Sequence, residues 1–124
     1  MAFFCPECGS KSLDITGGLE LPPDSRSDEI TLQTVKCDDC GFAGIAVYEE
    51  SRRGSLDHES VSHIGYRLPA KDRLAVERAI KRCPHPRNVR CKCASHRRFG
   101  SRDDLGRWNG LEKLHCGEPF AMRL

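Results

Sequence analysis

Aromatic side chains are scarce in this chain: one tryptophan, two tyrosines and five phenylalanines among 124 residues. A core with so few large rings is small and needs covalent or metallic staples. Long apolar runs are missing too. Nothing approaches the roughly 20 consecutive apolar residues of a membrane-spanning helix, so no membrane partner is expected. Met1-Ala2-Phe3-Phe4 leads straight into Cys5 without the basic segment, apolar stretch or cleavage site of a secretory leader, which makes the cytoplasm the expected compartment. There is no Gly-rich phosphate loop, no Gly-x-Ser-x-Gly elbow and no carboxylate pair placed for hydrolysis. The stretch His58-Glu59-Ser60-Val61-Ser62-His63 has one residue too many for the His-Glu-x-x-His of zinc proteases. Histidines five apart on a helix diverge by about 140°, so these two read as surface histidines.

What is abundant is cysteine, eight in all. Cys5/Cys8 and Cys37/Cys40 form two Cys-x-x-Cys pairs separated by 28 residues. A two-residue gap lets both sulfurs of a pair turn toward one ion, and the long gap lets a hairpin bring the second pair back. Four thiolates leave no open coordination position, so this reads as a closed structural zinc site. Gly9 and Gly41 follow the second cysteine of each pair, where a knuckle turn takes positive φ. Cys83, Cys91, Cys93 and Cys116 are less regular, with His96 at knuckle spacing from Cys93. They predict a second zinc held by Cys83, Cys91, Cys93 and either Cys116 or His96, two ions per chain in all. The competing reading is that some of these cysteines are buried free thiols.

Charge is divided along the chain. Residues 1–51 carry three basic against ten acidic residues, a sum of −7, whereas residues 52–124 sum to +9. Between Arg78 and Arg102 lie nine lysines and arginines and no aspartate or glutamate. Arg87, Arg90, Lys92, Arg97, Arg98 and Arg102 could follow a phosphate backbone, with Phe99 or Trp108 stacking on a base. Equally, they could be a solvated face that balances the thiolates and the acidic half.

The periodicity predicts a small, metal-stabilised α+β fold. Leu13 and Ile15 alternate up to Gly17-Gly18, Leu19 and Leu21 up to Pro22-Pro23, and residues 30–35 and 44–48 are β-forming runs. Residues 1–50 read as a three-stranded antiparallel zinc ribbon and residues 51–68 as a polar linker. Residues 69–124 read as one helix followed by an irregular basic Cys/His zinc module. Pro69 suits the first helical position; Val76, Ala79, Ile80 and Cys83 make one apolar stripe that Pro84 and Pro86 end, and Leu74 lies off it.

Cys-Pro-Glu-Cys-Gly-Ser and Cys-Asp-Asp-Cys-Gly-Phe, at 5–10 and 37–42, make residues 5–48 resemble the zinc-ribbon superfamily of transcription factors, RNA polymerase subunits and ribosomal proteins. Residues 25–41, SRSDEITLQTVKCDDCG, are also similar to the C-terminal ribbon of transcript-cleavage elongation factors. That resemblance implies an acidic hairpin tip, here Asp28 and Glu29, which helps hold a catalytic magnesium at the polymerase. This chain has a longer gap between cysteine pairs, lacks the usual proline after the acidic pair and carries Pro22-Pro23 inside the hairpin. A solvated acidic turn is the other reading. Residues 52–124 resemble no family.

The function expected from the sequence is that of a zinc-binding, non-catalytic protein that binds nucleic acid or docks on a nucleic-acid machine in transcription or RNA metabolism. On that reading the acidic ribbon has a protein partner. The alternatives are a protein–protein adaptor with structural zincs only, and a transcript-cleavage-like polymerase accessory factor.

Overall fold

A computed structural model of the chain describes residues 2–52 and 60–124. Five antiparallel strands run in chain order across one sheet: β1 (Leu13–Leu21), β2 (Glu29–Cys37), β3 (Ala43–Ser51), β4 (Ser60–Tyr66) and β5 (Pro119–Ala121). Two helices, α1 (Ala70–Arg82) and α2 (Ala94–Phe99), lie between β4 and β5. The α+β class and the antiparallel sheet match expectation, but the sheet has five strands where three were expected. Residues read as linker supply β4, and the module read as irregular supplies α2 and β5. β4 carries serines at two of its three exposed positions, Ser60 and Ser62, so composition concealed a strand whose register is set by β3. Of the stretch from His58 to His63, His58 and Glu59 lie outside the described residues.

One extra residue organises the core. β1 pairs with β2 from Leu13↔Cys37 to Leu21↔Ile30, with a register shift between Ile15 and Gly17. The Gly17-Gly18 pair, read as a turn between two strands, lies inside one continuous strand that bulges there. A bulge adds a residue to one strand and switches its side chains to the other face. Leu13 therefore faces one way with Val35, Cys37, Ala46, Phe3 and Met122. Leu19 and Leu21 face the other way with Ile30, Leu32, Ile45 and Val47, against Val76, Ala79, Cys83 and Phe99. A strict odd-even reading of β1 puts all its leucines on one side; the bulge divides them between two clusters.

Helix α1 begins after Pro69, whose carbonyl accepts from the amides of Asp72 and Arg73. The stripe is as expected: Val76, Ala79 and Cys83 are buried, Ile80 is half-buried and Leu74 is exposed. No described helix is long and apolar enough to cross a membrane.

His63 is not a surface histidine. It sits edge-on to Phe3 and Tyr48 at 5.3 and 5.5 Å between ring centroids, and its Nε2–H donates to Gln33 Oε1 at 2.6 Å. Burial pushes its pKa below the ordinary 6.5. A histidine held neutral in the fold supports stability above its unfolded pKa, and that support is lost as pH falls through it. His63→Gln should thus lose less melting temperature than the parent between pH 7 and pH 5. Equal losses in paired thermal melts would show that the ring titrates freely.

Candidate metal centres

The first centre is built from two matching turns. In each, the amide of the glycine donates back to the first cysteine's carbonyl: Gly9 to Cys5 and Gly41 to Cys37, both at 3.0 Å, with φ of 75° and 79°. The first turn precedes β1 and the second follows β2, so the β1–β2 pairing brings them face to face. Cys5 and Cys40 sulfurs lie 3.7 Å apart, as do those of Cys8 and Cys37, and all four lie within 4.8 Å of one another. Thiolates around a tetrahedral ion at about 2.3 Å have edges of about 3.8 Å, so the cluster fits such an ion without rearrangement. Amides of Glu7 and Phe42 point at the Cys5 and Cys40 sulfurs at 3.4 and 3.5 Å. Against the Phe42 amide, desolvation and the three neighbouring thiols push Cys40 up to about 12. Such a cluster needs a cation before all four sulfurs can ionise together.

The second centre joins the two helix ends. Cys83 caps the C-terminus of α1, Cys93 caps the N-terminus of α2, and His96 lies in the first turn of α2. Cys83 Sγ is 3.8 Å from Cys91 Sγ and 3.5 Å from Cys93 Sγ, and His96 Nδ1 is 3.3 Å from both Cys83 and Cys93 sulfurs. Four protein donors therefore surround one point, the pattern of a closed tetrahedral site. The His96 amide, with help from the His96 ring and against desolvation, draws Cys93 down to about 6. Burial pushes Cys83 up to about 11.

A strand sets the imidazole. His96 Nε2–H donates to the Glu20 carbonyl of β1 at 2.9 Å, which leaves the Nδ1 lone pair for a metal. The Glu20 amide in turn donates to the Pro86 carbonyl at 2.8 Å. Both backbone groups of one edge residue thus fasten the second centre to the sheet.

Of the two alternatives for the last ligand, the structure brings His96 to the cluster and not Cys116. Asp72 Oδ2 accepts from the His115 amide at 2.7 Å and faces His115 Nδ1 at 3.1 Å, holding residue 115 at the first turn of α1. Cys83 is eleven residues further along that helix, about 16 Å at 1.5 Å per residue. Cys116 packs half-buried against the core, where burial first, and the Asp72 charge after it, raise its pKa.

The cationic residues surround the second centre. All nine lysines and arginines from Arg78 to Arg102 are exposed, and among the described residues none has a carboxylate within 4 Å. Arg102 donates to the Pro23 carbonyl, and Arg98 lies 4.9 Å over the Phe99 ring. Acidic residues of the N-terminal half pair with other arginines: Glu7 with Arg67 at 2.7 Å, Glu29 and Glu50 with Arg52, Glu49 with Arg107 at 2.8 Å. The expected stacking rings are otherwise engaged. Phe99 is only 2% exposed, and the half-buried Trp108 donates its indole N–H to the Phe99 carbonyl at 2.6 Å.

Asp28 and Glu29 lie where β2 begins, beside the end of β3. Asp28 Oδ2 accepts from the Arg52 amide at 2.6 Å, and Glu29 pairs with the Arg52 guanidinium at 3.4 Å.

Two features escaped sequence reasoning. Helix α2 is one, although the Cys93-x-x-His96 spacing is that of a helix's first turn. The other is Asp24, whose side chain is fully buried, with Oδ1 accepting from the amides of Arg26 and Ser27 and Oδ2 from the Trp108 amide and the Arg107 guanidinium. Pro22-Pro23-Asp24-Ser25 carried that signal, since aspartate after proline commonly bonds amides two residues on. Compared with models of protein families, with curated proteins and with solved structures, the chain matches none.

Proposed function

We propose that this chain is a zinc-stabilised, non-catalytic binding module that takes nucleic acid on the cationic face around its second metal centre. Zinc is the ion whose preferences suit the two donor sets, four thiolates and three thiolates with one imidazole. Cys5, Cys8, Cys37 and Cys40 would hold one ion; Cys83, Cys91, Cys93 and His96 the other. The ions supply folding energy and hold the arginines in place, without a reaction step. On this reading residues 5–48 act as a ribbon of the zinc-ribbon type, and the two centres of free cysteines suit a reducing compartment such as the cytoplasm.

One observation carries the reading: among the described residues no cation of the 78–102 block has a carboxylate within 4 Å, whereas Arg52, Arg67 and Arg107 each pair with acidic residues of the N-terminal half. A face of that kind attracts polyanions. With Phe99 buried and Trp108 half-buried, contact is to the phosphodiester backbone more than to bases, and sequence preference is weak.

The test is fluorescence anisotropy with a labelled oligonucleotide at several salt concentrations. Six phosphate contacts predict an affinity loss on the order of 10²–10³-fold between 50 and 200 mM salt. Absent or salt-insensitive binding would remove this reading and leave the protein–protein adaptor.

A further inference from the structure

We propose that the cleft between α1 and α2, walled by Arg78, Arg82 and Arg98, is a discrete phosphate-binding site. Arg78 and Arg82 are four apart and share one face of α1; Arg98 comes from the last turn of α2. The cleft has a volume of about 310 Å³ and no carboxylate among its lining residues. Alanines form its floor: Ala75 and Ala79 from α1 and Ala94 from α2. Ser95 is also present, but its hydroxyl donates to the Ala79 carbonyl at 2.6 Å and holds the helices together.

The same helix shows what a structurally satisfied arginine looks like. Arg73 has Glu77 at i+4, 3.1 Å away. Arg78 instead has another arginine at i+4, and like charges at that spacing repel. A third guanidinium from α2 compounds the repulsion. An anion between them relieves it, and the planar donors of arginine fit phosphate oxygens two at a time. The position is metal-dependent: Cys93, a ligand of the second centre, lies in the cleft wall, and Arg98 follows His96 by two residues. Two other clefts are also cationic: one has Arg97, Arg98, Arg102 and Lys113 but includes Glu112, and one beside Pro22 and Pro23 has Arg90, Lys92 and Arg97 without a second helix facing them. A cleft beside Trp108 contains Arg107, already paired with Asp24 and Glu49, and one along β1 has a single cation, Arg87.

The inference deepens the nucleic-acid reading, and rests on it only for the source of the phosphate. Its test compares Arg78→Gln/Arg82→Gln with Lys36→Gln/Lys71→Gln, which removes the same charge from exposed positions outside both the cleft and the 78–102 block. Gln keeps helix propensity, and circular dichroism melts confirm that both variants fold. The intact protein is titrated with inorganic phosphate, following the arginine Nε–H resonances by NMR, and with a labelled single-stranded 12-mer by anisotropy. Saturable phosphate shifts at Arg78, Arg82 and Arg98 are expected, together with a tenfold or greater loss of 12-mer affinity in the arginine variant and less than twofold in the lysine variant.

Phosphate shifts without a selective 12-mer loss keep the site and assign it to small phosphorylated compounds. A selective 12-mer loss alone keeps it as a phosphodiester contact. If the parent binds no 12-mer, the nucleic-acid reading falls and the phosphate titration decides the cleft by itself. No saturable shift at these arginines and no difference between the two variants in 12-mer binding would overturn the proposal.

Discussion

Removing metal from the intact chain with a strong chelator is expected to unfold it, and the two centres are expected to fail separately. Structural zinc contributes roughly 10–16 kcal/mol per site, whereas a whole domain has a net stability of only about 5–15 kcal/mol. The core here has no surplus to set against that. Cys5 and Cys37 are themselves members of the cluster around Phe3 and Met122, and Cys83 belongs to the cluster around Leu19 and Phe99. Metal analysis should find two ions in the parent and in Cys116→Ser, and one in His96→Ala. Cys37→Ser should lose the first ion and much of the β1–β2 circular dichroism signal. Two ions retained in His96→Ala, or one lost in Cys116→Ser, would overturn the ligand assignment.

The second large effect is expected at Asp24. Asp24→Ala should cost about 3–5 kcal/mol by urea denaturation, the range for breaking a buried charge pair and leaving one partner behind. Arg107 would keep only Glu49, and the amides of Arg26, Ser27 and Trp108 would lose their acceptor. The carboxylate joins the β1–β2 turn to residues 103–108, so its loss should release both segments. Burial alone would raise its pKa, but the amides of Ser27, Trp108 and Arg26 and the Arg107 guanidinium together hold it well below the usual carboxylate range. A depressed carboxylate stabilises the fold above its unfolded pKa of about 3.9 and loses that contribution as pH falls through it. Asp24→Asn should therefore show a shallower acid limb than the parent when metal content is matched. A change below about 1 kcal/mol in Asp24→Ala would show that the turn holds without it.

Much of the first centre was legible because it is local. A Cys-x-x-Cys turn closed by glycine forms from six residues, and a hairpin brings its copy alongside. The helix was legible for the same reason, its stripe repeating within four turns. β4 and β5 were not, since a serine-rich segment and a three-residue Pro-Phe-Ala segment acquire strand character only from the neighbour they bond to. The bulge in β1 was also hidden, because Gly17-Gly18 is a turn signal until β2 pairs across it.

The sequence by itself determined that the chain is held by two clusters of cysteine, and that its positive charge is concentrated between Arg78 and Arg102, since spacing and composition are properties of neighbours along the chain. Only the tertiary structure decided which side chain completes the second cluster and which charges remain unpaired. His96 is chosen over Cys116 by a carbonyl 76 residues away on β1 and by an aspartate that holds residue 115 at the far end of α1. Arg52, Arg67 and Arg107 take carboxylates of the acidic half, while the longer cationic run stays exposed, because ion pairing depends on distances that the fold alone sets.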